Sequence, residues 1–143
     1  MMTLEEIIPD DEQVHALYRL LKSRKHGISH KQNPSFVEHD EFVRTHPYRA
    51  WFLVQDAGNC IGSVYLHADN SIGIHLEDGK LDEHLKPVLH EIMQRFEPLP
   101  AVKSVRNGSF SINVAPTDSA LMAALEKHGL AVAQVTYIVG AID

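Results

Sequence analysis

The sequence predicts a single α/β domain of the α+β kind, built on a mixed, mostly antiparallel twisted sheet flanked by about four helices. Three observations predict it. Runs rich in β-branched and aromatic residues, separated by turn formers, recur at Ala50 to Gln55, Cys60 to His67 and Ser71 to Leu76. Segments with apolar residues at helical spacing stand on both sides of that meander. No repeat, low-complexity tract or long linker divides residues 1–143, and a chain that is 44% hydrophobic can bury one substantial core.

Taken in order, Thr3 to Ile8 reads as a short first strand, and Pro9-Asp10-Asp11 breaks it with acidic caps for a helix over about 11–25. Val14, Leu17, Tyr18 and Leu21 form the apolar face of that helix, and Gly27 is its natural left-handed terminator. Ser35 and Glu38 have the spacing of a capping box, so a second helix runs to about Thr45 and is closed by Pro47. The three meander strands follow, joined by Asp56-Ala57-Gly58-Asn59 and Ala68-Asp69-Asn70. Leu85, Val88, Leu89, Ile92, Met93 and Phe96 then share one face of a third helix. Because Pro87 lacks an N–H and suits a first turn, the expected start is His84 to Lys86, which leaves Glu77 to Glu83 as loop. Glu97-Pro98-Leu99-Pro100 breaks the chain, Asn107-Gly108 supplies a tight turn, and Phe110, Ile112 and Val114 alternate as a buried strand face. Thr117 or Asp118 caps a last helix carrying Leu121, Ala124 and Leu125 and ended by Gly129. Val135, Tyr137 and Val139 complete the order as a closing strand.

Composition excludes several function classes. A net charge of −6 without a basic run opposes nucleic-acid and anionic-membrane binding. The lone Cys60 rules out an intrachain disulfide and a thiolate metal cluster, and suits a reducing cytoplasm. The start of the sequence lacks a signal-peptide pattern, and nowhere do apolar residues run long enough to span a bilayer. The ten histidines are scattered, so the expectation is no metal.

This order of elements resembles the GNAT acetyltransferase fold over essentially the whole chain. Tyr48 to Val54 followed by Ile61-Gly62-Ser63-Val64-Tyr65-Leu66 is similar to that family's second and third strands. Ile72-Gly73-Ile74-His75-Leu76 is similar to its fourth, and Asn113-Val114-Ala115-Pro116 through Glu126-Lys127-His128-Gly129-Leu130 to its ending. Ile28-Ser29-His30-Lys31 and Glu38-His39-Asp40-Glu41-Phe42 also resemble the subset that acetylates amino groups on sugar nucleotides.

The resemblance implies acetyl-CoA as co-substrate and a small-molecule amine as acceptor. It assigns Gly73, Ile74 and Leu76 to the strand edge that holds pantetheine, where the fourth strand would splay from the fifth and open a cleft between Gly73 to Leu76 and Phe110 to Val114. It assigns Gly79, Lys80, His84, Asn113 and Asp118 to other coenzyme contacts. Ser29, His30 and His39 would bound the acceptor, and His75 or Glu77 would relay a proton if their strand face lines the cleft. The phosphate-binding turn departs from the family pattern. Glu77 to Leu85 keeps one glycine, Gly79, and sets Asp78, Asp82 and Glu83 where a pyrophosphate would sit. Leu125 stands where relatives often carry a tyrosine that protonates the leaving thiolate. Two readings follow: an N-acetyltransferase for a small amine, possibly an amino sugar, or a GNAT-fold ligand-binding or protein-interaction domain that does not bind acetyl-CoA in the usual way. A third is a structural subunit forming a homodimer through its last strand, resting on the apolar Val135 to Val139.

Overall fold

The computed structural model describes residues 1–24 and 33–141. Its elements are β1 (Met2–Glu6), α1 (Asp11–Ser23), α2 (Phe36–Arg44), β2 (Ala50–Asp56), β3 (Asn59–Leu66), β4 (Ser71–Leu76), α3 (Leu81–Arg95), β5 (Ser111–Ile112) and α4 (Ser119–Lys127). The strands form one sheet in the order β1-β2-β3-β4-β5, antiparallel except for the β4–β5 pair.

Local chemistry explains most boundaries. Asp10 caps α1 by accepting from Gln13 N–H at 2.8 Å. Ser35 and Glu38 make the capping box of α2, with Glu38 N–H donating to Ser35 Oγ at 3.2 Å and Ser35 N–H to Glu38 Oε1 at 3.3 Å. The β2–β3 hairpin closes through Ala57 and Gly58, both at positive φ (51° and 82°), the two-residue turn whose twist matches paired strands.

Sheet alternation sorts the core into two layers. Leu4, Phe52, Val54, Val64, Leu66 and Ile72 face α3 and pack with its Val88 and Ile92. Trp51 and Leu53 face the other way, against Val14, Leu17 and Leu20 of α1 and Val43 of α2. Leu121, Ala124 and Leu125 of α4 pack on Leu85, extending the α3 layer toward β5.

Two expectations need correction. Helix α3 begins at Leu81, earlier than Pro87 alone suggests. Leu81 and Leu85 both pack into the core, and Pro87 lies on the exposed face, where the carbonyl it leaves unbonded can turn to water. The closing strand does not form: residues 130–141 have no regular secondary structure and are exposed, because strand propensity needs a partner strand to act on. In addition, the β5 ladder is only two residues long, and Phe110, Ile112 and Val114 are half-buried. Among the described residues no helix is long and apolar enough to cross a membrane, and no group of three or more His, Cys, Asp or Glu side chains could hold a metal ion.

Candidate active site

The site is built by two strands that start together and then part. Glu77 N–H donates to Ile61 C=O at 2.8 Å, and His67 N–H to Ser71 C=O at 2.9 Å. In the register between those bonds, Gly73 and His75 turn their backbone groups toward β3, so Ile72, Ile74 and Leu76 turn theirs toward β5. Yet β5 pairs only with Ser71 and Ile72. Among the described residues no strand ladders onto Ile74 and Leu76, and that stretch of β4 faces a splay.

Asn70 sets the closed end of the splay. It is fully buried at 0% exposure and holds a left-handed φ of 71°, which asparagine tolerates better than most residues. Its Nδ2 donates to Leu99 C=O at 2.9 Å and Asn107 C=O at 2.7 Å, and its Oδ1 accepts from Leu99 N–H at 2.8 Å. Its carbonyl accepts from Ser111 N–H at 3.1 Å. One side chain thus ties the β3–β4 turn to the segment leading into β5.

Beyond the open end, Lys80 N–H donates to Glu77 C=O at 3.1 Å across a turn whose third residue, Gly79, has φ of 80°. The adjacent Lys80 is the N-cap of α3 and makes no side-chain cap bond, so the first-turn N–H groups have no capping side chain. Asp82 and Glu83, in that same turn, are exposed.

On the α1 face of β4, His75 is half-buried, and its Nε2 is buried with no hydrogen-bond partner. Burial first, and then the Arg24 charge, push its pKa below the ordinary 6.5, against the opposing charges of Glu77, Asp118 and Asp78. The imidazole is therefore neutral near pH 7. Glu77 shares this face but is engaged elsewhere, accepting from Arg19 Nη1 at 2.7 Å. Asp118 caps α4, accepting from Leu121 N–H at 3.2 Å, and Asn113 is exposed just past β5.

Gly73 lies beneath the Tyr65 ring, which any side chain at that position would strike. Tyr65 in turn stacks on Tyr48, with centroids 4.0 Å apart and planes at 10°. Burial and the neighbouring Tyr65 push the Tyr48 hydroxyl up to about 12, so both remain protonated donors at neutral pH.

The structure thus brings Gly73, Ile74, His75, Leu76, Glu77, Gly79 and Lys80 along one edge, with Asp118 close enough to act on His75. Two expected site residues sit elsewhere. His39 is 5% exposed, its Nε2 3.0 Å from Val14 C=O, and burial lowers its pKa, so it is a neutral donor joining α2 to α1. His84 is 4% exposed, turned inward with Nε2 3.5 Å from Asp56 Oδ2, because it falls on the core side of α3 once that helix begins at Leu81. Ser29 and His30 lie outside the described residues. Sequence reasoning missed Arg19, Asn70 and the Tyr48–Tyr65 stack. Only Asn70, in a turn-forming run, carried a signal that could have found it.

No family model and no curated protein matches this sequence. Solved structures do match its fold. The aminoglycoside acetyltransferase AAC(6')-Iy, in complex with the bisubstrate analogue CoA-S-monomethyl-acetylneamine, superposes with a TM-score of 0.64 at 10% identity, covering 99% of each chain. A ribosomal-protein-alanine N-acetyltransferase from Brucella melitensis gives 0.63 at 11% identity, covering 99% of this chain and 100% of the other. The Campylobacter jejuni N-acetyltransferase PseH, in complex with acetyl coenzyme A, gives 0.59 at 13%, covering 95% and 92%. From its β1-to-α4 order to its parted fourth and fifth strands, this chain has the fold of the GNAT acetyltransferases.

Proposed function

We propose that this protein transfers an acetyl group from acetyl-CoA to a small amine, with amino sugars as the leading acceptor class, and grips the coenzyme weakly at its phosphates. The observation that carries the reading is the parting of β4 from β5 after Ile72, which leaves Ile74 and Leu76 with outward backbone groups at hydrogen-bonding spacing for pantetheine amides. Structural neighbours solved with a CoA-linked acetylneamine and with acetyl coenzyme A support the same chemistry.

Acetyl-CoA supplies an activated thioester carbonyl. Gly73 leaves room for the Tyr65 ring on the sheet face beside the edge, Gly79 and Lys80 lie beside the phosphates, and Asn113 and Asp118 border the far side. His75, neutral and with an unpartnered buried nitrogen, takes the amine proton as nitrogen attacks the carbonyl carbon. The C–N bond forms, the C–S bond breaks, and the departing thiolate takes up a proton. With its carboxylate held by Arg19, Glu77 acts as a nearby charge on His75 and not as the base. Ser29 and His30 remain the proposed acceptor contacts, whereas buried His39 supports α1 and α2.

Exposed Asp82 and Glu83 at the phosphate turn favour a second reading, a binding domain that does not use acetyl-CoA in the usual way. Thiol release from acetyl-CoA, followed across aminoglycosides, amino-sugar nucleotides and simple amines, separates the two. The transferase reading expects release with at least one amine. It also expects His75→Gln to lower turnover by about a hundredfold or more without changing coenzyme affinity. No release with any amine, together with no coenzyme binding, would leave the binding-domain reading standing.

A further inference from the structure

Six arginines occur in the sequence, and five are engaged within the fold. Arg19 pairs with Glu77, Arg44 with Asp11 and Asp40, and Arg95 with Glu91. Arg49 donates to Glu97 C=O at 2.9 Å and Arg106 to Pro100 C=O at 2.7 Å. Arg24 is the exception. It is half-buried, yet among the described residues its guanidinium has no hydrogen bond and no ion pair. A rigid fork of N–H donors is therefore left for water or a ligand.

The place of Arg24 in the fold decides which ligand. It is the C-cap of α1 and follows buried Leu20 by one helical turn, so it stands on the sheet-facing side of that helix. On the sheet face below, Tyr65 packs into the layer between sheet and α1 and lays its ring over Gly73, two residues before His75 on the same face of β4. The Arg24 charge acts on Tyr48, Tyr65 and His75 alike, which sets the guanidinium over that floor. Of the three carboxylates that act on His75, which are Glu77, Asp118 and Asp78, the first is held by Arg19 and the second caps α4.

We propose that Arg24 sets acceptor specificity by binding an anionic oxygen group, a carboxylate or a phosphate, carried on the same molecule as the amine that His75 deprotonates. Resting on the transferase reading, this narrows the acceptor to an amine that also bears negative charge. A guanidinium grips either group through two parallel N–H···O bonds. The same charge repels a polycation such as an aminoglycoside. After burial, Arg24 is the second cause that holds His75 below 6.5, so an anion paired with it makes the base stronger beside the matching acceptor.

Calorimetry without acetyl-CoA should compare glucosamine 1-phosphate with glucosamine and alanine with alaninamide, each pair differing by one anionic group. Native protein should bind at least one anionic member about tenfold or more tighter than its neutral counterpart, and the discriminating pair tells phosphate from carboxylate. Arg24→Gln should erase the preference with unchanged circular dichroism, because among the described residues nothing bonds to that side chain. Arg24→Lys, which keeps the charge without the fork, should retain part of it. Histidine titration by NMR should show a higher His75 pKa in Arg24→Gln than in native protein, since a repelling charge is gone. Equal binding within both pairs, a preference that survives Arg24→Gln, or an unmoved His75 pKa would overturn the assignment. No readout uses acetyl-CoA, so thiol release without anion preference overturns this inference alone, and anion preference without thiol release overturns the transferase reading alone.

Discussion

The β1–β4 half of the molecule and the β5–α4 half are held together by different physics. In the first, four antiparallel strands are covered on one face by α1 and α2 and on the other by α3, and Val14, Val43, Val54, Val64, Val88 and Ile92 are all fully buried. In the second, a two-residue parallel ladder is fastened by the Asn70 network, and α4 adds a smaller apolar layer. The difference teaches where the fold stores stability and where it leaves room. Dense burial fixes β4 in place, while polar clamping at one end lets β5 part from it at the other.

Core truncation should expose the contrast most strongly. Ile92→Ala removes a fully buried side chain from the first half and should cost about 2–5 kcal/mol in urea unfolding. Ile112→Ala, half-buried on β5, should cost under about 2 kcal/mol, and equal losses would erase the distinction.

The polar clamp is the next lever. Asn70→Ala leaves Leu99 N–H, Leu99 C=O and Asn107 C=O without their partner and puts a less tolerant residue at φ of 71°, for roughly 2–3 kcal/mol. Hydrogen exchange should rise at 99–112 and stay unchanged in β1–β3. A rise spread evenly over the sheet would mean that Asn70 does not act locally.

At Gly73 a methyl group meets the Tyr65 ring, so Gly73→Ala should cost about 1–3 kcal/mol. In a Tyr65→Ala background the same change should cost under about 1 kcal/mol, and an undiminished cost would place the conflict elsewhere.

The smallest effect is on pH dependence. His39, His46 and His75 all have folded pKa values below 6.5, chiefly through burial. The unfolded chain therefore binds protons more readily, so the contribution to stability is full above 6.5 and is lost as pH falls through the lower folded values. The melting temperature should drop between about pH 7.5 and 5.5, and His39→Gln should flatten that slope. A melting temperature that rises on acidification would reverse the sign.

How much of this could be read from the sequence followed from range. The Ser35–Glu38 capping box, the Asp118 cap, the Gly129 terminator and the three-strand meander are short-range signals, and each appears in the structure. The start of α3 was misjudged because the position of Pro87 in sequence says nothing about which face of the helix it occupies. The failed closing strand depends on a pairing that no local pattern encodes, and the parting of β4 from β5 is expected through the resemblance to a known fold and not from any local pattern. The Arg19–Glu77 pair, 58 residues apart, and the Asn70–Asn107 bond, 37 apart, likewise lie beyond local patterns. Of the candidate site, β4 and its turn were legible as a segment, while the burial of His39 and His84 emerged only from packing.

The central claim is that the splay accepts acetyl-CoA while the turn at α3 resists its phosphates, and calorimetric titration tests it most directly. Asp78, Asp82 and Glu83 each oppose a bound pyrophosphate by on the order of a kcal/mol at surface-like dielectric, enough together to lower affinity by roughly ten- to a hundredfold. Native protein should therefore bind acetyl-CoA weakly. Replacing Asp82 and Glu83 together with glycine should tighten binding by roughly that factor, since it removes charge and bares backbone N–H groups at an uncapped helix start. Micromolar binding by the native chain, with no gain in the double variant, would contradict the account and show that the phosphates are held elsewhere.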